Sequence, residues 1–158
     1  MGKVTDNWTP EGKQFMKTLR ELTELEVRIG YQRGTLSGNP DNSSRADLVD
    51  IAMWNEFGTV NIPSRPFMRD SVDKHEAAIN HMLTAQKDAL LHGATAREIL
   101  NTAGLFQQDL IQTEIEQGDF VANAPTTITK KGSDKPLIDT GTLKNSVHHI
   151  VVKKGSMD

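Results

Sequence analysis

Residues 95–118 read TAREILNTAGLFQQDLIQTEIEQG and carry helix signals at both ends. Thr95 and Glu98 have the spacing of a capping box, in which each side chain satisfies a free amide at the start of a helix. Gly118 is typical of a helix end. Between them lies an apolar stripe at intervals of four, three and four residues, formed by Ile99, Ala103, Phe106 and Leu110. The pattern predicts a long amphipathic helix.

The stretch just before it predicts a second long helix. Pro66 suits a helix start, and Gly93 suits the end, after about His92. Its apolar stripe consists of Met68, Val72, Ile79, Leu83 and Leu90. Two helices of about 22–26 residues joined by a tight turn are expected to lie antiparallel, as a hairpin.

Alternating and β-branched segments predict strands on either side of this hairpin. Residues 25–31 alternate apolar with polar side chains, and residues 146–153 are rich in β-formers. Residues 119–130 have room for a third strand. We therefore predict an α+β fold, in which a small antiparallel sheet packs against a long antiparallel helical hairpin.

Two shorter helices complete the predicted elements. The first follows Thr9, an N-cap, and Pro10 at the first helical position. The second spans roughly 45–57, with Ser43 or Ser44 as its cap and Gly58 at its end.

Length and composition predict one domain, 1–158, with two mobile loops at about 32–44 and 119–136. Both loops are polar and offer little to bury. Only 36% of the residues are hydrophobic and 5% aromatic, which supports one modest core. Either long solvated loops or a core completed against neighbouring subunits explains this low apolar content.

Charge and cysteine content exclude several classes of protein. The chain has no cysteine, which excludes disulfides, thiolate metal sites and a cysteine nucleophile. No run of about 18 apolar residues predicts a membrane span. Residues 120–158 hold six Lys and three Asp, a net +3, so the preceding residues carry −6 of the total of −3. A basic tail thus follows an acidic body.

One short motif is typical of catalysis. Asp139-Thr140-Gly141 after two apolar residues is the signature of aspartic proteases, in which two such carboxyls share a proton. Only 17 residues follow Gly141, too few for the remaining strands of that fold. We therefore interpret the motif as a turn, in which Asp139 or Thr140 caps a short helical turn and Gly141 supplies a permissive backbone.

No other pattern predicts catalysis or a cofactor. His148 and His149 are neighbours on a predicted strand and point to opposite faces, so they cannot chelate one ion together. No glycine-rich phosphate loop and no pairing of nucleophile with base is found. We predict neither an enzyme nor a metal site, and no cofactor.

Two sets of residues are candidate contacts. Trp54 and Phe57, with Arg65 and Phe67, are expected in a buried aromatic core, or alternatively as an anchor for another subunit. Lys130 and Lys131 begin a lysine-rich segment that suits a solvated loop or a phosphate contact.

Two blocks of the sequence, at roughly 49–70 and 130–152, resemble the tail-completion (head–tail joining, neck) proteins of long-tailed bacteriophages and their prophages. Related virion-morphogenesis proteins share the second pattern. The residues that carry the resemblance are Glu56, Gly58, Thr59, Arg65, Pro66 and Phe67 in the first block, and Pro136, Leu137, Asp139, Thr140, Gly141 and Leu143 in the second.

The resemblance implies a structural protein of the virion, made in the bacterial cytoplasm, that completes the tail and joins it to the head. It implies a homo-oligomer, a hexameric ring on assembly, that meets the tail tube protein and the head-closure connector. It implies no membrane and no small-molecule substrate. The alternative is a phage accessory protein that contacts nucleic acid through its basic C-terminal segment.

Overall fold

A computed structural model describes residues 7–37 and 45–157. In chain order these residues form α1 (Pro10–Glu24), β1 (Leu25–Gly30), α2 (Leu48–Phe57), α3 (Phe67–Asp73), α4 (Glu76–Leu91), α5 (Ala96–Gln117), α6 (Pro125–Lys131), α7 (Thr142–Asn145) and β2 (His148–Lys153). The predicted α+β class is confirmed.

The sheet consists of β1 and β2, which pair antiparallel from Leu25 opposite Lys153 to Gly30 opposite His148. Helix α5 lies across both strands at Gly104. A β-carbon at this position would collide with the His149 ring and lie 2.9 Å from Val27 Cγ2. Only glycine lets the helix backbone approach the sheet this closely.

The core joins the C-terminal half of α5 to α2, α3 and the turn before β2. Phe67 is fully buried at its centre, and the Tyr31 ring meets it edge-on at a centroid distance of 6.4 Å. The other members are Leu48, Ala52, Ile111, Ile115, Leu137, Leu143 and Val147.

The single long helix predicted over 66–92 is wrong, because α3 ends at Asp73 and α4 begins at Glu76. The break brings two side chains onto Glu114, a buried carboxylate of α5. Lys74 Nζ lies 3.0 Å from Glu114 Oε2, and His75 Nδ1 lies 3.9 Å from Glu114 Oε1. A buried carboxylate needs a partner such as the Lys74 ammonium, so this tertiary contact overrides the continuous apolar stripe.

The predicted start of the second helix is also wrong. Its cap is Asp47, whose Oδ1 accepts from Val49 N at 2.9 Å, and α2 begins at Leu48. The other carboxylate oxygen accepts from Gly34 N at 2.7 Å. These two backbone hydrogen bonds lower the pKa of Asp47, and the one from Gly34 has the larger effect. Ser43 and Ser44 lie outside the described residues, as does the 38–44 part of the predicted loop.

The segment 119–136 contains a helix, α6, rather than a third strand or an unbroken loop. Pro125 occupies its first turn, and Gly132 ends it with a φ of +67°. Both are ordinary signals for helix ends. The three threonines of α6 have low helix propensity, so local sequence alone does not predict this helix.

We expect Tyr31→Phe to stabilise the protein by about 1 kcal/mol, because the buried Tyr31 hydroxyl has no hydrogen-bond partner among the described residues. Burial, with Glu56 nearby, raises the pKa of Tyr31 above its ordinary value near 10. Above that pH the unfolded chain ionises first, so the free energy of unfolding falls by up to about 1.4 kcal/mol per pH unit. The Phe variant loses this part of the alkaline slope.

Urea unfolding between pH 8 and 12 measures both effects. The chain has a single tyrosine, so its ultraviolet titration reports on Tyr31 alone. An ordinary pKa in the folded protein, or a destabilised variant, would contradict the prediction.

Candidate interaction surface

Glu56 connects the two helices of the first sequence block. It lies on α2, is 4% exposed, and accepts from Met68 N at 2.9 Å and Arg69 N at 3.2 Å. These are free amides of the first turn of α3, whose own N-cap, Pro66, makes no side-chain cap. Arg69 Nε adds an ion pair at 2.9 Å. Glu56 therefore caps α3 from a neighbouring helix.

A tight loop joins α2 to α3. Gly58 has a φ of +77°, and a β-carbon there would lie 2.9 Å from Ser64 N. Thr59 Oγ1 accepts from the backbone amides of Asn61 and Ile62. Ser64 Oγ donates to Glu56 O at 2.8 Å. The Gly and Thr of the motif are thus explained by local geometry.

Arg65 connects this loop to the segment before α6 through hydrogen bonds. It is 5% exposed, and Nε donates to Val121 O at 2.8 Å. Its terminal nitrogens donate to Ala122 O, to Asn123 Oδ1 at 3.1 Å and to Asn55 Oδ1 at 3.2 Å. Burial lowers the pKa of Arg65, but a guanidinium stays protonated in proteins. The two asparagines carry no sequence signal that identifies this role.

The second sequence block contacts the segment that Arg65 binds and the core around Phe67. Asn123 Nδ2 donates to Pro136 O at 3.5 Å, and Leu137 and Leu143 belong to the core around Phe67. The two sequence blocks, 49–70 and 130–152, therefore form one buried junction, although the 59 residues of 71–129 separate them. We call this the motif junction: Glu56, Arg65, Phe67, Leu137 and Leu143.

The Asp-Thr-Gly motif forms a turn, as predicted, but the N-cap of the helix that follows is Gly141 and not Asp139 or Thr140. Gly141 has a φ of +79° and precedes the four-residue helix α7. Thr140 Oγ1 accepts from Thr142 N at 3.4 Å. Asp139 is exposed. In the residues that the structure describes, no group of three or more His, Asp or Glu could hold a metal ion.

A cleft of about 210 Å³ separates this turn from α2. Lys131 lies on its wall, and its Nζ donates to Lys135 O and Pro136 O, each at 3.3 Å. Burial lowers the pKa of Lys131, although Asp139 opposes this shift. Lys131 thus shapes the turn, whereas Lys130 is exposed.

The four residues expected in an aromatic core divide into two groups. Arg65 and Phe67 are buried, whereas Trp54 is 42% and Phe57 66% exposed. The core interpretation is therefore wrong for Trp54 and Phe57. Met53 lies beside them on α2 and is 51% exposed. Met53, Trp54 and Phe57 together form the α2 apolar face, which Arg69 borders with its guanidinium 5.5 Å from the centre of the Phe57 ring.

Comparison with family models, with curated proteins and with solved structures finds no significant match to this chain. None of the helices in the described ranges is long and apolar enough to cross a membrane.

Proposed function

We propose that the chain is a structural protein of a phage virion, which completes the tail and joins it to the head as a ring at the end of the tail tube. Its role is assembly rather than catalysis. The observation that supports this is the motif junction, in which the residues that resemble the tail-completion family support one another. The same junction leaves the α2 apolar face exposed.

The α2 apolar face is the surface that we assign to a partner protein in the virion neck, either the tail tube or the head-closure connector. Large exposed aromatic and methionine side chains are enriched at protein interfaces and dominate their binding energy. The buried cap at Glu56 holds the C-terminal end of α2 in place. The face is therefore positioned before a partner arrives, which reduces the cost of binding.

A nucleic-acid contact through the basic C-terminal segment has weaker support. Three of its six lysines are bound to their own chain: Lys131 as above, Lys135 to Glu116 O at 3.2 Å, and Lys144 to the Glu116 carboxylate at 2.8 Å. Fewer lysines remain for phosphates, and binding energy to DNA grows with the number of phosphates neutralised. DNA binding with a steep salt dependence would favour this alternative.

Electron microscopy of particles from the parent phage or prophage with an early stop codon in this gene tests the proposal. We expect filled heads separate from unjoined or overlong tails, and joined virions once the purified protein is added. Normal joined particles without the protein would overturn the proposal.

The α2 apolar face is tested in the same complementation experiment. We expect Trp54→Ser and Phe57→Ser each to weaken joining by roughly 2 kcal/mol, or about 30-fold, as aromatic anchors do. Leu83→Ser is the matched control, because Leu83 of α4 is 51% exposed and lies away from α2. Equal losses from all three variants would show that general surface hydrophobicity, and not this face, matters.

A further inference from the structure

Within residues 7–37 and 45–157, neither outer edge of the two-stranded sheet pairs with a further strand. Lys154 N donates to Glu24 O, which fixes these two residues as a hydrogen-bonded pair just beyond the strands. Because such pairs alternate along an antiparallel ladder, the backbone groups of Val27 and Ile29 point away from β2, and those of Val151 point away from β1. Among the described residues, no hydrogen bond reaches these outward groups. An exposed edge of this kind is a template for another strand.

The two edges differ in charge. Strand β2 and the residue after it carry His148, His149, Lys153 and Lys154 and no carboxylate. On the other edge, Glu26 of β1 is paired with Arg28 of the same strand at 2.7 Å, and Glu24, the last residue of α1, supplies the negative charge. If β2 of one copy pairs with β1 of the next in the same register as within one subunit, Lys154 of the first copy lies opposite Glu24 of the second. Opposite charges in such positions stabilise a sheet, and like charges destabilise it. Pairing of β2 with a second β2 is therefore disfavoured.

An apolar groove flanks the free edge of β1. Its volume is about 360 Å³, and it lies between Gly30 and Tyr31 on one side and Met53, Phe57 and Met68 on the other. Of β1 only Ile29 and Gly30 line it, so the groove lies at the C-terminal end of this strand. An added strand beside β1 would approach Met53 and Phe57 in this groove, so within the α2 apolar face Trp54 is the residue that stays clear for the neck partner.

We infer that β2 of one copy pairs antiparallel with the free edge of β1 in the next copy, so that the subunits share one continuous sheet. The contact is heterologous, since one edge meets a different edge, and it repeats until a ring closes. All copies of β1 then run in the same direction, along the ring axis. This arrangement rests on the proposed ring and specifies which surfaces build it.

Disulfide trapping tests the contact, and the absence of natural cysteines makes it specific. Val27 and His149 face α5, so Glu26, Ile150 and Val152 lie on the opposite face of the sheet. In the contact between copies they would form non-hydrogen-bonded pairs with α-carbons about 4.5 Å apart, within disulfide range. Purified Glu26→Cys is mixed with Val152→Cys, or with Ile150→Cys for a register shifted by two residues, and oxidised.

We expect a covalent dimer in a mixed sample at roughly tenfold the yield of any variant alone. A dimer of Glu26→Cys alone would indicate pairing of β1 with β1, and one of Val152→Cys alone would indicate pairing of β2 with β2; either result overturns the inference. The same mixtures are oxidised in phage tails that carry both variants. If no mixed dimer forms, either with purified protein or in tails, the inference is also overturned. The experiment with purified protein tests the strand contact separately from the proposed role in the tail.

Discussion

Replacement of Glu56 by alanine is expected to lower the free energy of unfolding by about 3 kcal/mol, because three donors lose one buried acceptor. Two of them are backbone amides of α3 that have no other partner among the described residues. We also expect the start of α3 to loosen, and with it the loop that supports the α2 apolar face. Urea unfolding measures the stability, and hydrogen exchange of the Met68 and Arg69 amides measures the local effect.

Arg69→Ala separates the cap from the ion pair. The Arg69 side chain is 56% exposed, and such ion pairs contribute little, so we expect a loss of about 1 kcal/mol. Glu56→Gln is expected to lie between the two, since it keeps one carbonyl oxygen but turns an amide toward the donors. If Arg69→Ala cost as much as Glu56→Ala, the ion pair and not the cap would be the important contact.

The helix ends that depend on local chemistry were predictable from the sequence. Thr9 and Pro10 begin α1, the Thr95–Glu98 capping box begins α5, and Gly58 ends α2, all as predicted. Each of these signals acts within four residues. Contacts between distant residues leave no such signal. The break between α3 and α4 depends on Glu114, about 40 residues further along the chain.

The candidate site was predictable as a set of residues but not as a structure. The resemblance selected Glu56, Arg65 and Leu137 without indicating that they meet. Trp54 and Phe57 show that residue type alone does not predict burial, because an aromatic side chain suits both a core and an interface. Which of the two it joins depends on the direction in which α2 faces, and that is set by the burial of Leu48, Ala52 and Glu56 on the same helix.

The second large effect is expected for Arg65→Ala, which should lower the free energy of unfolding by about 3 kcal/mol. Four oxygen acceptors lose their donor, and two of them, Val121 O and Ala122 O, belong to the segment before α6. We therefore expect protease cleavage within 119–124 to become faster as well. Arg65→Lys should recover less than half of the loss, because a single ammonium group cannot reach oxygens on both sides of the junction.

A double-mutant cycle with Asn123→Ala tests whether the contact itself carries the effect. Arg65 and Asn123 hydrogen-bond to each other at 3.1 Å, and a coupling of about 1 kcal/mol is expected. Arg33→Ala is the matched control: its side chain is 71% exposed and its ion pair with Asp50 is 3.9 Å long, so its loss should stay below about 0.5 kcal/mol. Additive losses at Arg65 and Asn123, with unchanged cleavage at 119–124, would mean that Arg65 acts only by filling space. The two sequence blocks would then be held together by the apolar contacts of Phe67, Leu137 and Leu143 alone.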